Sequence, residues 1–383
     1  MESPVHCDLF CNVIDNFGDI GVAWRLARQL DQEKGWRMRL WVDDLKSFAR
    51  IQPGIDANAA RQTIGRVEVV HWVPGVAAPD AIADVVIEAF GCALPHNYQQ
   101  AMAERQVAPV WINLEYLSAE SWVEGCHALP SPHPRLPLTK HFFFPGFGEK
   151  TGGVICEEGL TRQRERWQAD TASQAAWWQA RGINPRQDAE RWVSLFCYEN
   201  AAVTPWLQHL AESDTRWRVL VPASRVLADV ARALGQEKLA AGDSVNLGNL
   251  QVDVLPFTDQ AGFDRLLWSC DVNIVRGEDS FMRAQWAARP FLWHIYPQDE
   301  DAHMVKLDAF LARFTATLDG ATRDALVAAQ HAFNRHHGLA EHWDAFIART
   351  PALARHGWQW ADQQLVGGDL ATRLVHFCEN RLQ

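Results

Sequence analysis

Short apolar runs of strand length, each followed by a turn and then a helical or irregular stretch, recur along the chain and constrain its fold more than any other feature. Residues 8–14, 38–42, 67–72, 85–90 and 110–114 form a first series; 192–196, 218–221, 252–255, 272–275 and 291–295 form a second. Such runs suit strands covered on both faces, so the pattern predicts largely parallel sheets flanked by helices. Two series in succession predict an α/β protein of two Rossmann-like halves, with a ligand crevice where their strand ends face each other. The 383 residues suffice for two domains, each with its own core.

Between the series, residues 157–188 read as polar helix rich in tryptophan and punctuated by Gly182 and Pro185. The predicted domains are therefore 1–180 and 181–365; the two segments that carry candidate chemistry assign the first to an acceptor and the second to a nucleotide. Residues 366–383 form a closing helix that packs back on the first domain. Helical patterns also fill 201–211, 301–314, 324–349 and 368–380.

Composition narrows the function. Forty-seven acidic residues against 36 basic ones give a formal charge of -11, the wrong sign for a broad nucleic-acid footprint and permissive of a cationic partner. Eight scattered cysteines without a Cys-x-x-Cys pair read as reduced, mostly buried small hydrophobes. No apolar stretch is long enough to span a membrane, and the first residues lack a signal-peptide pattern, so a cytoplasmic protein is expected. A monomer is a separate expectation.

Two segments carry candidate chemistry. The first, Asp15-Asn16-Phe17-Gly18-Asp19-Ile20-Gly21, lies where the first strand hands over to its helix. Its glycines permit tight backbone geometry, but it is neither a dinucleotide fingerprint nor a phosphate loop. Its two carboxylates would repel a diphosphate, so the segment is assigned to the acceptor and the reacting centre. Asp19 could equally be a helix cap and Asp15 an Asx-turn residue.

The second segment runs Val275-Arg276-Gly277-Glu278-Asp279-Ser280-Phe281 and continues to Tyr296-Pro297-Gln298. A strand ends at Arg276, turns at Gly277, and enters a helix near Asp279 or Ser280, with Asp279 able to cap it. Free amides of the first helical turn and the Arg276 charge could receive a diphosphate without a divalent cation. Glu278 could accept from sugar hydroxyls or a guanidinium. An ordinary capped helix with solvated Arg276 and Glu278 accounts for the same residues. Phe196, Tyr198 and Phe257 follow strand ends, where a ring could stack on a base or simply fill the core. Glu115, Tyr116 and Glu120 cluster after another strand and could line the acceptor side.

No metal site emerges: His336-His337 cannot both face one ion, and His-Glu-x-x-His is absent. Neither a Gly-x-Ser-x-Gly elbow nor the Tyr-x-x-x-Lys pair of an epimerase is present.

Taken together, Val13 to Gly21, Ser194-Leu195-Phe196-Cys197-Tyr198-Glu199-Asn200, and Arg276 to Gln298 closely resemble the EarP family. These are bacterial protein-arginine rhamnosyltransferases that modify translation elongation factor P. The resemblance covers nearly the whole chain. It implies a GT-B glycosyltransferase fold, no cofactor or metal, dTDP-β-L-rhamnose as the donor substrate, and one arginine of elongation factor P as acceptor, with inversion at the sugar. It further implies Asp19 as catalytic base, Glu278 in positioning the acceptor, and Asp15 in support. Phe257 would stack on the thymine, with Phe196 and Tyr198 near the donor pocket. The turn through Arg276, Gly277, Asp279 and Ser280 would hold the diphosphate with Tyr296 and Gln298. Another nucleotide-sugar transferase, and a non-catalytic protein that grips basic surfaces, remain the competing readings.

Overall fold

The computed structural model describes residues 4–14, 17–73, 75 and 81–382. The chain divides into two compact units, Met1–Glu158 with Gln364–Gln383, and Gly159–Gln363.

The first unit is built on β1 (His6–Cys11), β2 (Arg37–Val42), β3 (Arg61–Ile64), β4 (Val67–His71), β5 (Val85–Ala89), β6 (Val110–Leu114), β7 (Pro130–Pro132) and β8 (Thr139–Phe143). They form one eight-stranded sheet in the order β3-β4-β2-β1-β5-β6-β8-β7. Its middle is parallel, and only the edge strands β3 and β7 run antiparallel to their neighbours. The buried runs β5 and β6 match the apolar pattern because both faces are covered. The edges do not: β3 is largely exposed, and β7 holds two prolines, which suit an edge because they donate no ladder bond.

Two carboxylates sit inside this sheet, each neutralised at short range. Asp8 accepts both prongs of the Arg39 fork, at 2.6 and 2.7 Å, and the Tyr98 hydroxyl. Glu88 pairs with Lys140 at 2.7 Å. A buried charge persists only when matched in this way.

The second unit holds β9 (Arg191–Leu195), β10 (Trp217–Pro222), β11 (Ser244–Leu247), β12 (Leu250–Leu255), β13 (Val272–Arg276) and β14 (Phe291–His294) in the order β11-β12-β10-β9-β13-β14. All pairings are parallel except the β11–β12 hairpin.

The division between units falls at Glu158 and Gly159, ahead of the boundary near 180 that the sequence pattern suggests. Tryptophan packing accounts for the difference. Helices Leu160–Ala169 and Thr171–Gln179 lie against the second sheet, where Trp178 meets Trp192 edge-on at 5.3 Å and Trp167 Nε1 donates to Ser269. Arg164, fully buried, lies 3.8 Å over the Trp358 ring and donates to the Trp286 carbonyl. The last helix, Leu370–Glu379, belongs instead to the first unit. Arg373 reaches the Gly148 and Thr151 carbonyls, Leu370 N–H donates to the Val154 carbonyl, and Lys34 donates to Thr372.

Among the described residues no helix is long and apolar enough to cross a membrane. All eight cysteines are free, and all but Cys126 are buried.

Candidate functional site

In the first unit the carboxyl ends of β1, β2, β5 and β6 carry an acidic rim. The first strand stops at Cys11, short of the predicted residue 14, because the following amides turn to carboxylates and leave the ladder. Val13 N–H donates to Asp43 at 2.8 Å, the Asn12 amide donates to the same carboxylate at 2.9 Å, and Ile14 N–H donates to Asp19 at 2.8 Å. Asp43 directly follows β2, and only its place at a strand end could have flagged it.

Asp19 does not cap its helix. Helix Gly18–Lys34 has Phe17 at the capping position without a side-chain bond, and Asp19 lies in the first turn, 2% exposed. One carboxylate oxygen holds the Ile14 amide; the other accepts the Tyr116 hydroxyl at 3.1 Å. Tyr116 stacks on Phe90, which follows β5 with a left-handed φ of 59°. The carboxylate is thus aimed by backbone and hydroxyl donors and sits in the positive end of a helix. Nearby Ile14 is 76% exposed, leaving an apolar side chain beside a buried acid. Burial raises the Glu115 carboxyl above its ordinary value, while its Asn113 partner opposes this. Glu120 accepts from Ser118. Asp15 lies outside the described residues.

The second unit gathers aromatic and cationic groups at the carboxyl ends of its strands. Arg276 ends β13, 7% exposed, with its guanidinium 4.7 Å from the ring centres of both Phe196 and Tyr198. Its Nη1 is buried with no hydrogen-bond partner. A cation held by two aromatic rings and left with an unmet donor is poised for an anionic acceptor. Phe196 and Tyr198, which the sequence offered as base-stacking surfaces or core, thus flank Arg276.

Gly277 takes a φ of 63°, a conformation that costs a glycine little. Its carbonyl accepts from Trp293 Nε1 at 2.9 Å, and that indole stacks on Phe281 at 3.7 Å, fixing the turn. The helix cap is Glu278, not Asp279, and it makes no side-chain capping bond. Asp279 and Ser280 occupy the first turn of helix Asp279–Trp286, Asp279 half-buried and Ser280 buried. Tyr296 is 57% exposed and meets Tyr198 edge-on at 5.4 Å. Gln298 is exposed, and its N–H donates to His303.

Phe257 is half-buried after β12. It lines a hollow of about 320 Å³ with Trp177, Arg181, Pro222, Thr258 and Leu266. Larger hollows, of about 840 and 820 Å³, open at the amino ends of the two sheets, beside Arg37 and Arg39 and beside Arg191 and Arg289. Doubly wound sheets bind ligands at carboxyl ends, so neither of these two hollows marks the site.

No motif singled out His294, which is fully buried with both ring nitrogens unpartnered. Its ring lies 5.3 Å from Tyr198. Burial, aided by His336, Arg276 and His303, pushes its pKa down to about 3. Among the described residues no group of three or more His, Cys, Asp or Glu side chains is arranged to hold a metal ion.

The model of the family described as Elongation-Factor P (EF-P) rhamnosyltransferase EarP matches residues 7–379. The chain belongs to this family. It is 50% identical over 375 residues to the protein-arginine rhamnosyltransferase of Pseudomonas putida, covering 98% of this chain and 99% of that one. The protein of the same description from Pseudomonas aeruginosa is 50% identical over 370 residues, covering 97% and 98%. A solved structure described as the structural basis for EarP-mediated arginine glycosylation of translation elongation factor EF-P superposes with a TM-score of 0.71. It is 35% identical and covers 98% of this chain and 99% of its own. A UDP-glucosyltransferase from Polygonum tinctorium, 9% identical with a TM-score of 0.52 over 98% of each chain, shares the fold. The two Rossmann-like units are those of the GT-B class, and in the EarP family they belong to a glycosyltransferase.

Proposed function

We propose that the protein transfers L-rhamnose from dTDP-β-L-rhamnose to an arginine side chain of translation elongation factor P, in the cytoplasm and as a monomer. The observation that carries this reading is identity at half of all positions, over nearly the full length, to two protein-arginine rhamnosyltransferases. The geometry of each unit supports it: an aimed carboxylate suits a cationic acceptor, and a buried guanidinium beside a helix start suits a diphosphate.

Arginine is a poor nucleophile because its guanidinium is protonated and delocalised. Its pKa above 12, against about 4 for a carboxylate, sets a cost of roughly 11 kcal/mol for full proton removal beforehand. Asp19 therefore works by orientation first. Fixed by the Ile14 amide and the Tyr116 hydroxyl, it holds the acceptor guanidinium by charge and hydrogen bonds, with Glu278 and Asp15 assisting.

In a single displacement, one guanidinium nitrogen bonds to the anomeric carbon as the bond from that carbon to the diphosphate oxygen breaks. The electron pair leaves with dTDP. One proton passes from the attacking nitrogen to the Asp19 carboxylate once bond formation has made it acidic. Arg276 and the first-turn amides of Asp279 and Ser280 take up the charge growing on the diphosphate, Tyr296 and Gln298 flank it, and Phe257 receives the base.

Incubating the protein with dTDP-rhamnose and elongation factor P and weighing the intact factor tests the reading. One added deoxyhexose on an arginine is expected. An unmodified factor that still binds would favour the non-catalytic alternative.

A further inference from the structure

β14 is the outermost strand of the second sheet, and its open edge is closed by a helix instead of another strand. Two amide side chains of helix Gly320–Asn334 do this. Gln330 accepts from Trp293 N–H at 3.0 Å and donates to the Phe291 carbonyl at 3.2 Å. Asn334 accepts from Ile295 N–H at 3.0 Å and donates to the Trp293 carbonyl at 2.8 Å. Each amide offers a donor and an acceptor side by side, as a peptide group does. Four residues of helix rise about 6 Å, close to the roughly 6.7 Å spanned by two strand residues, so the i and i+4 amides meet successive rungs. Both side chains are almost fully buried, Gln330 at 1% and Asn334 at 3% exposure.

The same helix end holds a second segment. Asn200, the last residue of the Ser194–Asn200 motif, donates its side-chain amide to the Phe333 carbonyl at 2.8 Å. Its own N–H goes to Asp229 and its side-chain oxygen accepts from Ala202. The Phe333 ring packs on His294 at 5.1 Å, and His294 lies against Tyr198. Two consecutive residues, Phe333 and Asn334, therefore fasten the segment that carries Tyr198 and the strand end that leads into Tyr296. Those tyrosines touch each other, and Tyr198 forms one wall of the Arg276 stack.

We infer that Asn334, acting with Asn200, is a positioning residue for donor recognition, holding the β14 exit and the Tyr198 segment so that Arg276 meets the diphosphate. The inference rests on the donor assignment made above and adds residues that do not themselves touch the ligand. Its role is distinct from that of Gln330, whose bonds lie earlier along the strand, farther from Tyr296.

Titration of the full-length protein with dTDP, together with steady-state kinetics, separates the possibilities. Asn334→Ala should weaken dTDP binding about tenfold and raise KM for dTDP-rhamnose in parallel, with KM for elongation factor P unchanged. Gln330→Ala should lower the melting temperature as much as Asn334→Ala does, yet shift dTDP affinity less than about twofold. Should Asn334→Ala not fold, Asn334→Ser carries the same two expectations. Equal loss of affinity in the Asn334 and Gln330 variants would overturn the inference, leaving Asn334 a stabilising residue only. So would a folded Asn334 variant that binds dTDP as the wild type does. A wild-type protein that fails to bind dTDP would instead overturn the donor assignment itself.

Discussion

The Asp19 loop follows β1 and the Arg276 turn follows β13, so both lie at the carboxyl strand ends of their sheets, yet they solve opposite electrostatic problems. Asp19 is aimed by donors: an amide and a hydroxyl each hold one oxygen of its carboxylate, and a carboxylate oxygen can accept more than one bond. Arg276 is held by ring faces, which steady a cation without consuming its N–H groups, and Nη1 is left with an unmet donor. One region arranges an acid by hydrogen bonds; the other arranges a base by aromatic contact. The difference is that a hydrogen-bonded carboxylate is oriented at rest, whereas the guanidinium is kept unspent.

The largest effect should come from breaking the acidic side. Asp19→Ala is expected to lower turnover by about 10²- to 10⁴-fold while dTDP affinity stays within about twofold of wild type. Rate assays with titration calorimetry decide it, and unchanged turnover would remove Asp19 from the reaction.

On the cationic side, Arg276→Ala should cost about 2–3 kcal/mol of dTDP binding, roughly 30- to 150-fold. Arg276→Lys should recover little, because a planar guanidinium fits between two rings and a compact ammonium does not. Full recovery by lysine would mean that charge alone matters.

Acid should sharpen the contrast by acting on the aromatic region. His294 stays neutral in the folded protein down to about pH 3, while in the unfolded chain it protonates near 6.5. Falling pH therefore favours unfolding: the His294 contribution is complete above about 6.5 and is lost toward 3, at no more than about 1.4 kcal/mol per pH unit. Urea melts at pH 7 and pH 5 should show a smaller pH-dependent loss in His294→Phe than in the wild type. An identical slope in both would show that the ring is not kept neutral.

The smallest effect belongs to Tyr116→Phe, which removes one hydroxyl from Asp19 and leaves the Phe90 stack. A loss of about 1 kcal/mol, several-fold in kcat with donor KM unchanged, is expected.

The central strands were legible because burial on both faces writes a continuous apolar run, as in β5 and β6. The hairpin strands β3, β7 and β11 were not, nor was β8 beside β7, since short or half-exposed strands need no continuous apolar code. Arg276, Gly277 and Asp19 stood out through their place at strand ends. Their settings did not, because the rings around Arg276 come from residues some eighty positions earlier in the chain, and the Asp19 hydroxyl partner from 97 positions away. Asn334 read as one more polar residue on a helix, since nothing local tells an amide that faces water from one that completes a sheet. Likewise, the tryptophans of 160–179 advertise burial but not which sheet they bury against.

The unmet Nη1 donor of Arg276 has a consequence for the life of the protein in the cell. An anion that pairs with this donor binds the folded chain and not the unfolded one, so a nucleotide at a hundredfold excess over Kd adds about 2.7 kcal/mol to stability. The occupied protein is therefore the more durable one wherever unfolded chains are removed.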